Sequence, residues 1–269
     1  MTPDTTAATT QKDTRTALVT GASSGIGAAL ARQLASQGWD LVLVARNRER
    51  LERIAEDLRR QHAVSVEILP QDLALPNAAQ VVHTWIRQHA ITVDLLVNNA
   101  GAGSSGPVIA AAEHAYESLI TLNITSLTEL SRLFAGDMVG RGRGQILNVA
   151  STGAYQPGPY TAVYYAAKSY VHSFSLALDM ELRGTGVSVS LLCPGATATE
   201  FSSRAGKADL TTAMPAAQVA RVAVQGLGRR QRLIIPGLGN RLVIVLSKIL
   251  PGHWLAWMVA RIQKPLLLK

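Results

Sequence analysis

The chain has 269 residues, 48% of them apolar and 16% charged, which excludes wholesale disorder and allows a substantial core. Its single cysteine, Cys193, excludes an internal disulfide and a cysteine-built zinc site. The net charge of +8 first suggests a polyanionic partner, but residues 1–209 carry 17 Lys/Arg against 18 Asp/Glu, whereas residues 210–269 carry nine Lys/Arg and no acid. The basic excess belongs to the last sixty residues, and nucleic-acid binding is not expected.

Residues 1–15 are Thr-rich and polar, lack the apolar run of a signal peptide, and are expected to be a disordered tail. No stretch reaches the ~18 apolar residues of a spanning helix, so a cytoplasmic protein is expected. Beyond the tail, short apolar runs alternate with helix-like segments. Thr16–Thr20 (TALVT) predicts a strand. Residues 25–37 predict a helix, with Ile26, Leu30 and Leu34 on one face. Strands follow at 41–45, 64–69, 93–98, 145–150, 187–193 and 233–235. Helices are expected at 48–61, 77–88, 113–139, 162–183 and 215–226. Near-continuous apolar strands are buried on both faces, and strict β–α alternation gives a doubly wound α/β fold with a parallel sheet of about seven strands. One such domain accounts for residues 16–236 and leaves 237–269 as a helical appendage.

Between the first strand and the first helix stands Thr20-Gly21-Ala22-Ser23-Ser24-Gly25-Ile26-Gly27. Glycine permits a tight turn and a close backbone approach to a pyrophosphate. The helix amino terminus beyond offers free N–H groups and the positive dipole end. This stretch, with Asn98-Asn99-Ala100-Gly101 and the pair Tyr164-x3-Lys168, resembles the short-chain dehydrogenase/reductase family. The likeness covers roughly residues 14–200. It implies one Rossmann-type domain, a nicotinamide cofactor and carbonyl/alcohol interconversion.

The end of the second strand bears on the choice of cofactor. A carboxylate there would hold the ribose 2′-OH and repel a 2′-phosphate, but this chain has Ala45, Arg46, Asn47 and Arg48. Arg46 can clamp a phosphate, and in the family this pattern implies NADP(H). The resemblance further assigns Gly21, Ser23, Ser24, Gly25, Ile26 and Gly27 to the phosphates. It assigns Asp72 and Leu73 to the adenine, and Asn98, Ala100 and Gly101 to the adenosine side. Asn98 also reads as a structural amide near a strand end. Pro194 and Gly195 begin a turn near the nicotinamide, with Thr199 or Thr197 bonding the carboxamide.

Hydride transfer to a ketone needs an acid for the developing oxyanion. A tyrosine with its ordinary pKa near ~10 needs help as a base, which a lysine cation one turn away supplies. Tyr164 and Lys168 are i and i+4 on one helix face, while Tyr165 is the wrong member of the pair by spacing. The family likeness makes Tyr164 the acid/base and has Lys168 lower its pKa and hold the ribose. Ser151 orients the carbonyl, and Asn123 marks a helix break that supports a water relay to the lysine. The intact Asn–Ser–Tyr–Lys set argues against the rival reading, a non-catalytic NADP(H)-binding sensor or membrane-associated scaffold. No metal site is expected.

Residues 196–215 fall where the family has its substrate lid. Val108, Ile109, Tyr155, Pro157 and Tyr160 fall near the site on family grounds, which hints at an apolar or lipid-like substrate. Cys193 reads as a buried small residue. The family's pairing of its two long helices implies a homodimer or homotetramer. In the appendage, Trp254, Trp257 and apolar stripes stand among Arg241, Lys248, Arg261 and Lys264. That composition suits a helical flap over the active-site mouth or a subunit interface, and equally an interfacial helix pair at a membrane surface.

Overall fold

The computed structural model describes residues 15–206 and 213–267. Residues 1–14, nearly all of the expected tail, and 207–212 of the expected lid lie outside the described residues. Seven strands form one parallel sheet: β1 (Thr16–Thr20), β2 (Asp40–Ala45), β3 (Val66–Pro70), β4 (Leu95–Asn98), β5 (Gly144–Val149), β6 (Val187–Leu192) and, later in the chain, β9 (Leu233–Ile234). Their order is β3-β2-β1-β4-β5-β6-β9. The chain therefore winds outward from β1 in one direction and from β4 in the other. The reversal between β1 and β4 opens a cleft at the carboxyl ends of those strands, where ligands of such sheets bind.

Helices cover both faces, as the apolar strands require. On one side α1 (Gly25–Ala35), α2 (Arg48–Gln61) and α8 (Ala216–Gly228) bury Leu30, Leu34, Leu51, Leu58, Val219 and Leu227 with the sheet. On the other lie α3 (Ala78–Gln88), α5 (Ser126–Gly140) and α6 (Ala162–Glu181), where Val82, Phe134 and Met138 pack on β1, β4 and β5. A polar chain runs through this second layer. Asn98 donates to Ser131 Oγ and to Asn148 Oδ1, each at 2.9 Å, and Asn148 donates to Ser175 Oγ at 2.9 Å.

The single long helix expected at 113–139 is not formed. His114 takes a left-handed φ of +60°, and the helix starts only at α4 (Glu117–Ile120). A five-residue π-helical turn, Thr121–Thr125, then separates α4 from α5. Asn123 sits inside it and donates to the carbonyls of Leu119 and Ala102, both at 2.9 Å. An interior amide that competes for backbone groups explains the break.

Three small elements left no sequence signal. β7 (Thr197–Ala198) and β8 (Met214–Pro215) pair as a separate two-stranded sheet, and α7 (Phe201–Arg204) follows β7. They are too short to show a hydrophobic period.

The appendage forms two helices, α9 (Leu238–Ile249) and α10 (Gly252–Gln263), separated by Pro251. It packs on the body. Ile244 is buried with Val171, Leu191 and Cys193, which contributes about 2 kcal/mol. Asn240 lies against the Pro194–Gly195 turn, where a Cβ on Gly195 would come 2.2 Å from Asn240 Oδ1. Ser247 donates to Gln156, and Gln263 donates to the Tyr165 hydroxyl at 3.3 Å. The outer faces remain bare. Leu238, Leu242, Val245, Leu246 and Ile249 line one exposed stripe of α9, and Trp254, Trp257, Met258 and Ile262 one of α10. Among the described residues no helix is long and apolar enough to cross a membrane.

Candidate active site

The turn after β1 is held by its neighbours. Gly21 and Gly25 adopt φ of +65° and +56°, which only glycine takes cheaply. A Cβ on Gly27 would stand 2.3 Å from Gly21 O and 2.5 Å from Asn99 Nδ2. The sequence explains these glycines by a bound pyrophosphate; the fold itself requires two of them for packing. Asn99, which the sequence reading left without a role, does the fastening. Its side chain donates to Thr20 O at 2.9 Å, and the N–H groups of Asn99 and Ala100 donate to Thr20 Oγ1 at 2.9 and 3.0 Å. The signal was in the motif, because a side-chain amide beside a glycine turn commonly satisfies backbone groups.

The amino end of α1 emerges from this turn uncapped. Ser24 makes no side-chain cap and no acid occupies the first turn, so its N–H groups and dipole face the cleft. Arg46, at the end of β2, is 73% exposed and stands 3.8 Å from the Asp72 carboxylate at the end of β3. An exposed pair at that distance is weak, so the guanidinium is free to turn to another anion. Asp72 also accepts from Ala74 N, forming a turn that fixes its carboxylate. Leu73 is buried under α3, and its carbonyl accepts from Ser126. Asn98 is brought into the polar chain between β4, β5, α5 and α6, so its amide serves the interior rather than the cleft.

At the carboxyl ends of β4 and β5 the expected catalytic residues converge. Lys168 is buried and donates to Val149 O at 2.9 Å. A Cβ on Gly101 would stand 2.8 Å from Asn123 Oδ1 and 3.5 Å from Lys168 Nζ, so Gly101 keeps a narrow gap between amide and ammonium. Asn123 Oδ1 is buried without a hydrogen-bond partner, as is Asn98 Oδ1. An acceptor left bare beside an ammonium suits a bound polar group or water. Ser151 takes an extended φ of −166° and accepts from Gly153 N at 3.0 Å, and its hydroxyl lies near enough to Tyr164 to act on the phenol.

Burial pushes the Tyr164 phenol up from its ordinary value, and the nearby Ser151 hydroxyl opposes this. Lys168 Nζ lies 5.7 Å from the centre of the Tyr164 ring, and burial lowers its own pKa to about 8. The expected net lowering of the tyrosine by the lysine is therefore not what these side chains produce by themselves. The pair is set as a protonated phenol beside an ammonium. Tyr165 turns away, its ring against Gly153 and Gly158 and its hydroxyl toward α10.

The residues after β6 fold back over the cleft. The carbonyl of Pro194 accepts from Thr152 N, and the Thr197 hydroxyl is spent on Gly195 O at 3.1 Å. Thr199 reaches the phosphate turn, where a Cβ on Gly25 would lie 3.0 Å from its Cγ2. Phe201 packs over Tyr164 and Gly103. Glu200 pairs with Arg50 of α2 at 2.7 Å and with Arg204. On the substrate side Ile109 is 98% exposed. The Tyr155 hydroxyl lies 3.9 Å from Cys193 Sγ, within the core beneath α9. Burial raises the Cys193 thiol to about 12, so it is inert. Among the described residues no group of His, Cys, Asp or Glu could hold a metal ion.

Residues 15–210 match the family described as short chain dehydrogenase. A putative ketoacyl reductase of granaticin polyketide synthesis from Streptomyces violaceoruber is 39% identical over 190 residues, covering 70% of each chain. A very-long-chain 3-oxoacyl-CoA reductase from Anas platyrhynchos is 31% identical, covering 69% of this chain and 61% of its own. Among solved structures, a short-chain dehydrogenase from Sphingobium yanoikuyae in complex with NADPH superposes with a TM-score of 0.80 at 37% identity, covering 87% of this chain and 93% of its own. A bulky-bulky ketone specific alcohol dehydrogenase from Comamonas testosteroni gives 0.76 at 31% identity, covering 88% and 94%.

Proposed function

As this chain belongs to the short-chain dehydrogenase/reductase family, we propose that it is an NADP(H)-dependent reductase of apolar, lipid-like carbonyls. The observation that carries the reading is the cluster at the strand ends, with Ser151 near the Tyr164 phenol, and Lys168 beside Asn123 across Gly101.

The cofactor fits the residues present. The uncapped amino end of α1 suits the pyrophosphate, Arg46 the 2′-phosphate, and Asp72, Ala100 and Gly101 the adenosine side. Thr199, against the phosphate turn at Gly25, suits the carboxamide better than Thr197, whose hydroxyl is spent on Gly195 O. When bound, the nicotinamide supplies the hydride. Ser151 holds the carbonyl oxygen beside Tyr164, and the phenol donates its proton to that oxygen as negative charge develops. Burial keeps Tyr164 protonated, which favours the reducing direction. Lys168 stabilises the phenolate left behind, and Asn123, in its π-helical turn, supports a water that returns a proton toward the lysine.

The named ketone and 3-oxoacyl substrates of the relatives, together with Phe201 over Tyr164, support a bulky apolar substrate. The protein is read as cytoplasmic, pairing through α5 and α6 as a homodimer or homotetramer. Exposed Leu176 and Met180 on α6 support that pairing. Residues 237–269 are its surface for membrane contact. NADPH oxidation across aliphatic, steroid, quinone and acyl-thioester carbonyls tests the reading. Fast turnover of at least one apolar carbonyl is expected, and no carbonyl-dependent oxidation in any class would overturn it.

A further inference from the structure

A helix at the surface of a folded domain normally turns its apolar side inward. The last two helices carry a second apolar side that faces outward. On α9, Leu242, Val245 and Ile249 follow one another at helical spacing along the exposed face, opposite the buried Ile244. On α10, Trp254, Trp257 and Met258 are exposed, opposite the buried Leu255 and Val259. Ile249 is 72% exposed and the two tryptophans about 60%. An apolar surface of this extent marks an interaction site.

Charge decides among occupants. Arg241, Arg261 and Lys264 are exposed cations on the two helices, Lys248 turns its ammonium over the Tyr155 ring, and no acid occurs anywhere in residues 210–269. A second copy meeting this face about a twofold axis would set cations against cations. An anionic surface meets it with opposite charge. Arg261 lies over the Trp257 ring at 4.4 Å, which places a cation beside an exposed indole, the pairing suited to the headgroup level of a bilayer.

We propose that the outer face of α9 and α10 docks in the plane of an anionic lipid bilayer, with the tryptophans at headgroup depth and Arg241, Arg261 and Lys264 against lipid phosphates. Docking needs only this surface and its charge. It also has a consequence for the cleft. Gln263 bonds Tyr165, the neighbour of Tyr164, and Asn240 packs on the Pro194–Gly195 turn. The docked helices thus back the segments that border the site, Gln263 behind the Tyr164–Tyr165 pair and Asn240 behind the turn, and docking sets that side of the site toward the lipid. That delivery of substrate rests on the reading of the chain as a reductase of apolar carbonyls.

The test is co-sedimentation of the full chain with vesicles of phosphatidylcholine alone or with phosphatidylglycerol, at low and high salt. Binding to the anionic vesicles is expected, weakened by salt. The double variant Arg261→Gln/Lys264→Gln should lose roughly 25-fold in affinity, about fivefold per cation. Trp254→Ser/Trp257→Ser should lose binding while reducing a water-soluble ketone at the parent rate, which shows it is folded. Failure of the chain to sediment with either vesicle overturns the proposal, as does a larger assembly in light scattering that the tryptophan variant dissolves. Ketone reduction without vesicle binding would sink docking alone; vesicle binding without any carbonyl reduction would sink the reductase reading alone.

Discussion

The ring of Phe201 stands 5.3 Å from the ring of Tyr164, tilted by 51°. Phe201 opens α7, and its outer edge meets Gly103, so it covers the phenol between α7 and the loop after β4. Phe201→Ala removes an apolar cover worth about 2 kcal/mol to a bound hydrocarbon. We expect KM for a bulky apolar ketone to rise at least roughly tenfold and kcat to stay within about threefold. Steady-state kinetics with a small and a bulky ketone check this, and an equal rise for both would remove the lid role.

Tyr164→Phe keeps the ring and deletes the proton. Turnover should fall by about a thousandfold, the scale of a lost general acid, with NADPH binding by fluorescence unchanged. Ser151→Ala should cost roughly a hundredfold in kcat with KM little altered. Parent-like turnover in the phenylalanine variant would refute the mechanism.

Arg46 is the exposed cation at the end of β2. Arg46→Asp replaces a phosphate partner with a group that repels phosphate and accepts from a ribose hydroxyl. The ratio of kcat/KM for NADPH over NADH should reverse, changing by about a hundredfold or more. An unchanged ratio would move specificity elsewhere.

Lys168 titrates near 8 in the folded chain, below its ordinary 10.5, because it is buried. Between those values the unfolded chain binds more protons, so stability should rise as pH increases through that window. Below it both states carry the charge, and the penalty, about 3 kcal/mol for such a shift, is constant. Lys168→Met should flatten this dependence in urea denaturation. Activity should move the other way, falling above about pH 8 as the ammonium supporting Tyr164 is lost.

Gly27 has a right-handed backbone but no room. Its missing Cβ would press on Gly21 O and Asn99. Gly27→Ala should lower stability by about 1–3 kcal/mol, read as a drop in Tm, even without cofactor. A loss of cofactor affinity at unchanged Tm would restore the view that this glycine exists only for the pyrophosphate.

The alternation of strand and helix was legible because the buried strands are short, largely apolar segments and the helices between them keep a period near 3.6. Ser151, Tyr164 and Lys168 were legible through the resemblance to the family's motifs; spacing alone says only that Tyr164 and Lys168 share one helix face. What escaped depends on contacts between distant segments. Asn99 fastens Thr20 across 79 positions, and Glu200 pairs with Arg50 across 150. The start of α4 escaped because nothing in the run from 113 forbids a helix; the left-handed His114 does. The direction of the tyrosine shift escaped because desolvation is a property of the packed site, not of a four-residue spacing.

Asn98 and Asn148 face each other as direct partners on β4 and β5, joined amide to amide. The apolar residues of these strands, Leu95–Val97 against Ile146, Leu147 and Val149, could slide past one another with little penalty, since leucine meets isoleucine as well as valine. The amides remove that freedom. Any slip would leave two buried amide groups without partners, at several kcal/mol. The pair thus acts as a gauge stop between two otherwise smooth rails. It makes Gly101, three residues past one asparagine, and Ser151, three past the other, arrive level at the edge of the sheet.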